Sequence, residues 1–282
     1  MSGTLFVVAT PIGNLEDITG RALRVLREAS MIAAEDTRRT AHLLARYAIT
    51  TPTTSLHEHN EASKTGSLIA RLERGESIAL VSDAGTPTIS DPGQGLIKAA
   101  IDAGIRVEPV PGPNAAIAAL AVSGLPIDSF SFLGFPPARS KARSDWFERV
   151  RAVGATIVFF EAPHRIRQTL DELRREVGDC PVVVCRELTK VHEELVRGPI
   201  SQVLTKLEAP LGEFTVVAHI GHTTELIPIV APTPQEAFIE FGYLTNSGKL
   251  SRRAAVAALA KRHKLGANAV YKLIEAGKKS IE

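Results

Sequence analysis

The chain has 282 residues, of which 44% are hydrophobic and 23% are charged, and its formal net charge is +2. This composition excludes a disordered chain, and the length predicts two domains with room for a small third. No apolar run approaches the roughly 18 residues of a membrane span, and the N-terminal residues lack the basic region and cleavage site of a signal peptide. We therefore expect a cytoplasmic protein with no membrane partner.

The first 123 residues predict an α/β domain with a mainly parallel sheet, because predicted strands and helices alternate along them. The first helix is predicted to start near Ile18, with Asp17 as its N-cap. The predicted strands are residues 5–9, 31–34, 77–82 and 106–110, and the other predicted helices are 67–74, 93–103 and 114–121.

Residues 124–222 predict a second α/β domain. Its predicted strands are 130–135, 156–160, 182–185 and 215–220, its predicted helices are 166–176 and 200–207, and residues 136–143 are predicted to form a basic loop.

Residues 233–282 predict a third, helical region after a linker that is rich in proline and threonine. Thr233-Pro-Gln-Glu236 is a strong helix start, since threonine caps, proline fits the first turn and glutamate reaches back to the cap. Two further helices, 251–264 and 268–276, flank a short turn that contains Gly266, and the pair resembles a helix-turn-helix.

The charge of the chain is uneven. From Thr245 onward there are nine basic and two acidic residues, so this tail carries +7 and the preceding 244 residues carry −5. Such asymmetry indicates a polyanionic partner for the tail.

Three loops follow predicted strands, at the edge of the sheet where α/β proteins bind ligands. The longest, residues 82–93, has twelve residues, whereas an ordinary connection of this kind needs about 2–6. Its carboxylates, amides and hydroxyls suit a ligand with an amino-acid end, although a cluster of turns with Asp91 as a helix cap would explain the same residues. The loops 10–14 and 110–114 are individually weak signals.

Nine segments in order resemble the tetrapyrrole-methylase superfamily of S-adenosylmethionine enzymes, in particular the branch that methylates a ribose 2′-hydroxyl of a cytidine in small-subunit (16S) rRNA at the decoding centre. The segments are Ala9-Thr-Pro-Ile-Gly-Asn-Leu15, Ala34-Glu-Asp-Thr-Arg38, His57-Glu-His-Asn60, Ser82-Asp-Ala-Gly-Thr-Pro87, Ser90-Asp-Pro-Gly93, Pro111-Gly-Pro-Asn114, Phe160-Glu-Ala-Pro-His-Arg165, Arg186-Glu-Leu-Thr-Lys190 and Gly212-Glu-Phe214.

The resemblance implies two α/β domains with S-adenosylmethionine in the cleft between them, a homodimer and no metal. The loop 82–93 should hold the methionine end of the cofactor, with Asp83 facing its charged groups, and residues 111–116 and 160–161 should line the adenosine pocket. The cofactor-binding residues so predicted are Pro11, Gly13, Asn14, Asp83, Ala84, Gly85, Thr86, Pro87, Ser90, Pro111, Asn114, Ala115 and Phe160.

Methyl transfer to a hydroxyl needs alignment of the acceptor oxygen and removal of its proton, which a base or a nearby cation assists. Glu161 and Lys190 are the favoured catalytic candidates. His164, Glu187 and Asp36 are further candidates. A purely structural pairing of Glu161 with Arg165, or of Glu187 with Lys190, would explain the same residues.

Basic side chains are candidate contacts to RNA phosphates, with small-subunit rRNA or the 30S particle as the partner. A solvated basic loop and a soluble helical cap are the structural alternatives. The candidates are Arg38, Arg39, Arg139, Lys141, Arg143, Arg252, Arg253, Lys261, Arg262 and Lys264.

Two other functions remain open at this stage. The first is another enzyme of the superfamily that acts on a tetrapyrrole or a protein side chain. The tetrapyrrole branch carries Gly-Asp-Pro where this chain has Ser82-Asp83-Ala84, which argues against a porphyrin or corrin substrate. The second is a non-catalytic RNA-binding assembly factor, which the intact cofactor loops disfavour.

Overall fold

The computed structural model describes residues 2–138, 140–207, 211–221, 233–246, 250–262 and 265–279. The chain divides into two compact units, residues 1–221 and 222–282. No helix in these described ranges is both long enough and apolar enough to cross a membrane.

The first unit begins with a five-stranded, fully parallel sheet in the order β3-β2-β4-β1-β5. Its strands are β1 (Thr4–Val8), β2 (Met31–Ala34), β3 (Thr53–Ser55), β4 (Ile78–Val81) and β5 (Arg106–Val110). The helices that follow them are α1 (Gly20–Glu28), α2 (Thr37–Arg46), α3 (Glu61–Glu73), α4 (Gln94–Asp102) and α5 (Ala115–Ser123).

A second five-stranded sheet, in the order β6-β7-β10-β8-β9, completes the first unit. Only β6 and β7 pair in parallel, while the other pairs are antiparallel. Its strands are β6 (Phe130–Phe132), β7 (Thr156–Glu161), β8 (Pro181–Arg186), β9 (Glu194–Pro199) and β10 (Phe214–His219), and its helices are α6 (Ser140–Val153), α7 (Ile166–Val177) and α8 (Ile200–Lys206).

Each side of the first sheet has its own apolar core, because successive strand residues face opposite sides. Ala79 and Val81 pack with α1 and α2, whereas Ile78 and Leu80 pack with α3 and α4. In the second sheet, Trp146 of α6 is fully buried against Phe159, with ring centroids 5.4 Å apart.

The described residues of the second unit form three helices, α9 (Pro234–Asn246), α10 (Arg252–Arg262) and α11 (Ala267–Lys279). The predicted start of α9 is confirmed, since Glu236 accepts from the backbone amide of Thr233 and donates its own amide back to the threonine hydroxyl. Phe241 and Ile274 belong to the apolar core of this unit.

The predicted α/β architecture with a helical C-terminal region is confirmed, but two local predictions are wrong. Asp17 lies in a 3-10 turn that Asn14 caps, and Thr19 caps α1 by accepting from the amide of Ala22. The predicted basic loop 136–143 already turns into α6 at Ser140. Three elements, α2, β3 and β9, were not predicted: α2 carries three arginines among its ten residues, β3 has three residues, and β9 contains Gly198 and Pro199.

Candidate functional site

A cavity of about 430 Å³ lies between the two sheets of the first unit, beside the loops that follow β2, β4, β7 and β8. Of the thirteen predicted cofactor-binding residues, eight line it. They are Asp83, Ala84, Gly85, Thr86, Ser90, Asn114, Ala115 and Phe160.

The other five predicted residues do not line this cavity. Pro11 and Pro87 are buried, and Pro111 is exposed. Gly13 and Asn14 instead lie against the loop after β8, where the amide of Asn14 donates to Thr189 Oγ1 at 3.0 Å. Their assignment to the cofactor stays a prediction.

Two loops beside the cavity hold non-glycine residues in left-handed backbone conformations. Thr88 and Ser90 each have φ of 72° in the loop after β4, and Glu187 and Thr189 have φ of 49° and 66° in the loop after β8. A left-handed conformation of a non-glycine residue costs free energy and persists only where the surrounding structure fixes it. Such conformations are common in loops that bind ligands.

Asn114 ties the loop after β4 to the start of α5. Its side-chain oxygen caps the helix by accepting from the amide of Ile117 at 3.1 Å, and its Nδ2 donates to Thr86 Oγ1 at 3.4 Å. Glu61 fixes the far end of the same loop, since its carboxylate accepts from the amides of Gly93 and Leu96 at 3.2 and 3.0 Å. Glu61 was not among the predicted site residues, although it directly follows the segment 57–60.

Three carboxylates face one end of the cavity, namely those of Glu35, Asp83 and Asp91. Asp83 accepts from the amide of Asp36 at 2.9 Å and pairs with Arg39 at 3.2 Å. Burial raises the pKa of Asp91 to about 6, and the charges of Glu35 and Asp83 act in the same direction. Burial also raises the pKa of Glu35. This end of the cavity therefore favours a cationic ligand group, because a cation would offset the repulsion among the carboxylates.

Another part of the cavity wall is aromatic and apolar. Phe160 lies with its ring centroid 4.9 Å from that of Phe132 and 5.5 Å from that of Phe135, and Leu188 and Pro163 line the same cavity. A wall of this kind suits a flat, weakly polar ring such as a purine.

Glu161 lines the cavity, but its side chain is completely buried and both carboxylate oxygens accept hydrogen bonds. One oxygen accepts from the amide of Ala162 at 2.8 Å, and the other accepts from Thr169 Oγ1 at 2.6 Å. The guanidinium of Arg165 lies 3.5 Å away. The structural pairing considered for Glu161 is therefore present, and it favours a positioning role for this carboxylate. A catalytic role for Glu161 stays a prediction.

Lys190 forms two ion pairs beside the cavity, with Glu187 and Glu213, each at 2.9 Å. Partial burial alone would lower its pKa, but the hydrogen bonds to these two carboxylates outweigh burial and raise the pKa above 10.5. Lys190 is accordingly a cation at neutral pH and not a proton acceptor.

Arg143 forms a partly buried ion pair, and its predicted RNA contact stays a prediction. Its guanidinium donates to Glu172 at 2.5 Å and to Thr169 Oγ1 at 2.7 Å, and only 11% of the side chain is exposed. A guanidinium occupied in this way cannot also reach a phosphate without breaking a partly buried ion pair.

The remaining predicted RNA contacts have different positions. Arg38, Arg39 and Lys141 are exposed on the first unit, and Arg39 also lines the cavity. Arg252 and Arg253 are exposed at the start of α10. Arg139 and Lys264 lie outside the described residues, and for Lys261 and Arg262 only the helical backbone is described.

Comparisons with known proteins identify the family of the chain. The model of the family "Tetrapyrrole (Corrin/Porphyrin) Methylases" matches residues 4–204, so the chain belongs to this family, as the sequence predicted. A Vibrio cholerae protein called ribosomal RNA small subunit methyltransferase I is 45% identical over 273 residues, which are 95% of this chain and 93% of the relative. A protein of the same name from Halalkalibacterium halodurans is 50% identical over 217 residues, 76% of this chain and 75% of the relative.

A solved structure of uroporphyrin-III C-methyl transferase from Thermus thermophilus, complexed with S-adenyl homocysteine, has a TM-score of 0.55 and 18% identity. The match covers 77% of this chain and 98% of that one. At this identity the likeness concerns the fold alone.

Proposed function

We propose that the chain transfers a methyl group from S-adenosylmethionine to the ribose 2′-hydroxyl of a cytidine in 16S rRNA at the decoding centre. The match along 95% of the chain to the small-subunit rRNA methyltransferase of Vibrio cholerae carries this proposal. Ser82-Asp83-Ala84 at the head of the cavity loop, in place of Gly-Asp-Pro, speaks against a tetrapyrrole acceptor.

The cavity fits S-adenosylmethionine. The carboxylates of Glu35, Asp83 and Asp91 would face its cationic methionine end, and Phe160 and Ala115 would line the adenosine. When bound, the cofactor supplies an activated methyl group on a sulfonium. The loop after β4 would orient this end of the cofactor through backbone groups fixed by Asn114 and Glu61.

We assign Lys190 the role of a cation that stabilises negative charge as the acceptor oxygen loses its proton to bulk water. Its pKa, raised by Glu187 and Glu213, keeps it charged. Placing a fixed charge where charge develops in the transition state is an effective form of catalysis. Glu161 acts as a positioning residue that joins β7 to α7 through Thr169.

The proposed partner is rRNA within the small subunit of the ribosome, in the cytoplasm. Arg252 and Arg253 of the second unit, with the rest of its positive charge, would bind phosphates. Arg38, Arg39 and Lys141 would do so on the first unit.

We also propose a homodimer, in which a second copy covers α5. This helix is apolar on all sides, a pattern typical of buried helices, yet Ile117 and Val122 are 53% and 46% exposed. The exposed side chains of Ile127 and Phe130 follow shortly after it along the chain.

The decisive experiment maps ribose methylation on small subunits from cells that lack this protein, before and after incubation with purified protein and labelled S-adenosylmethionine. We expect label on one cytidine ribose at the decoding centre. Cofactor binding without transfer to particles or to naked rRNA would overturn the proposal, and transfer to a tetrapyrrole would replace it.

A further inference from the structure

The helices α1 and α2 have an unusual charge composition. Together they contain six arginines, no lysine and a single acidic residue, Glu28. The arginines are Arg21, Arg24, Arg27, Arg38, Arg39 and Arg46, and all of them are exposed.

Both helices cover the same side of the first sheet, so their outer faces form one surface. Leu26 of α1 and Leu43 of α2 belong to the same apolar cluster. The guanidinium of Arg27 donates to the carbonyl oxygen of Tyr47 at 3.2 Å, and the Tyr47 hydroxyl donates to the carbonyl oxygen of Leu15 at 2.7 Å. We call the outer faces of α1 and α2 the arginine face.

The opposite side of the same sheet provides an internal comparison. The helices α3 and α4 carry three basic and three acidic residues, so their charges balance. The positive charge is therefore specific to one side of the sheet. It also stands out because the first 244 residues together carry −5.

Much of this charge is not neutralised within the protein. Arg24 pairs with Glu28 at 3.1 Å, and Arg38 pairs with Asp36 at 2.7 Å. Among the described residues no ion pair involves Arg21, Arg27 or Arg46. Their polar partners are the carbonyl oxygens of Pro109 and Tyr47 for the first two, and Arg46 lies 5.6 Å from the ring centroid of Tyr47.

The composition of the arginine face fits nucleic acid better than a protein partner. Protein interfaces have an apolar centre, but residues 20–46, all of which the structure describes, include no large exposed hydrophobic side chain. Arginine presents a planar fork of donors that matches phosphate oxygens, often with two hydrogen bonds.

The arginine face leads to the cavity. Arg39, in the first turn of α2, lines the cavity and is 63% exposed. Arg46 lies seven residues further along α2, which is about 10 Å at 1.5 Å per residue. When a nucleotide is held at the cavity, the phosphates of its neighbours in the RNA chain would therefore lie within reach of the arginines along α2.

We propose that the arginine face binds the phosphate backbone of RNA that flanks the methylated nucleotide. This inference rests on the proposed function, since it takes the substrate to be rRNA. It adds a contact surface on the first unit that is separate from the basic second unit.

The test compares two double variants of the full chain. Arg24→Gln with Arg46→Gln removes two charges from the arginine face, and Lys98→Gln with Arg106→Gln removes two charges elsewhere on the first unit. Lys98 is matched to Arg24, because it forms an (i, i+4) ion pair with Asp102 as Arg24 does with Glu28. Arg106 differs from Arg46 in that it pairs with Glu108 at 2.7 Å. Binding and methylation are measured on naked 16S rRNA and on undermethylated small subunits.

We expect the arginine-face variant to bind naked rRNA at least about fivefold more weakly. Its salt dependence should fall by about 0.7–0.9 in log–log slope for each phosphate that the variant no longer neutralises. Its cofactor affinity and its rate at saturating RNA should match the wild type. The control variant should match the wild type in every measurement.

Three outcomes would overturn parts of this picture separately. Equal RNA binding by both variants and the wild type would remove the arginine face as an RNA surface while leaving the proposed function intact. Unchanged activity on naked rRNA with a loss only on ribosomal particles would assign the face to a ribosomal protein instead. Failure of the wild type to methylate any rRNA would contradict the proposed function itself.

Discussion

The backbone amide of Asn14 donates a hydrogen bond of 3.0 Å to the hydroxyl of Thr189, which lies 175 residues later in the chain. This bond joins the loop after β1 of the first sheet to the loop after β8 of the second sheet. Gly13 permits the approach, because a Cβ at this position would lie 2.6 Å from Lys190 Cγ and 2.9 Å from the carbonyl oxygen of Leu188.

Gly13→Ala should therefore separate the two loops or strain them. We expect a loss of about 1–3 kcal/mol in the free energy of unfolding, the usual cost of overpacking, together with weaker cofactor binding. Denaturant unfolding and calorimetric titration measure these two effects. Gly20→Ala is the matched control, since a Cβ at position 20 would have open space within 4 Å, and equal behaviour of the two variants would contradict the tight contact.

Lys190→Met should lower kcat on rRNA by roughly ten- to a hundredfold if the lysine charge stabilises the developing oxyanion. Lys190→Arg keeps the charge and should restore much of the rate. Cofactor affinity should change little in either variant. A similar loss in both variants would mean that the ion pairs with Glu187 and Glu213 matter for structure and not for catalysis.

Cofactor binding should depend on pH through Asp91. The pKa of this group in the folded protein is about 6, against an ordinary value of 3.8, so the folded protein binds an extra proton between these values. The free energy of unfolding of the ligand-free protein should fall as pH rises through this window, because the folded state loses that proton.

A cationic ligand favours the ionised carboxylate, so S-adenosylmethionine affinity should rise up to about tenfold between pH 5 and pH 7. Calorimetric titrations across this range measure the effect. Asp91→Asn should flatten the profile, whereas Asp102→Asn, at an exposed position of α4, should preserve it. A flat profile in the wild type would argue against Asp91 facing the cationic end of the cofactor.

Arg143→Ala should destabilise the fold by about 2–4 kcal/mol, because it leaves Glu172 without its cationic partner in a partly buried site. Thermal unfolding measures this loss. Lys141→Ala, two residues earlier on the exposed side of α6, should be nearly neutral for stability. If Arg143→Ala instead preserved stability and reduced RNA affinity, the sequence-based prediction of a phosphate contact would be right.

Ile117→Asp should convert a dimer into a monomer at micromolar concentration, since it places a charge in the centre of the apolar face of α5. Sedimentation velocity reports the change. Ile101→Asp is the control, because Ile101 is 61% exposed on α4, outside the proposed interface. A wild type that sediments as a monomer would contradict the proposed homodimer.

Local sequence patterns predicted the parts of this fold that depend on neighbouring residues. The loop 82–93 stood out by its length, and Asn114 and Thr233 were recognisable as residues at helix starts. The ion pair of Arg143 could not be predicted, because a basic side chain near other basic residues gives no sign of a carboxylate 29 residues away. The role of Glu61 was equally hidden, since it depends on contacts between separate elements, whereas the pairing of Glu161 with Arg165 was among the predicted alternatives.

The left-handed residues Thr88, Ser90, Glu187 and Thr189 lie in loops whose ends are anchored in the two sheets. A glycine at any of these positions would relax the backbone and could raise the melting temperature, yet it would also let the loop sample other shapes. Selection for heat resistance alone would therefore favour glycines at these positions, and the loops that line the binding cavity would then adopt several conformations. Among stabilised variants of this protein, those with a substitution at one of these four positions should be the first to have their turnover measured.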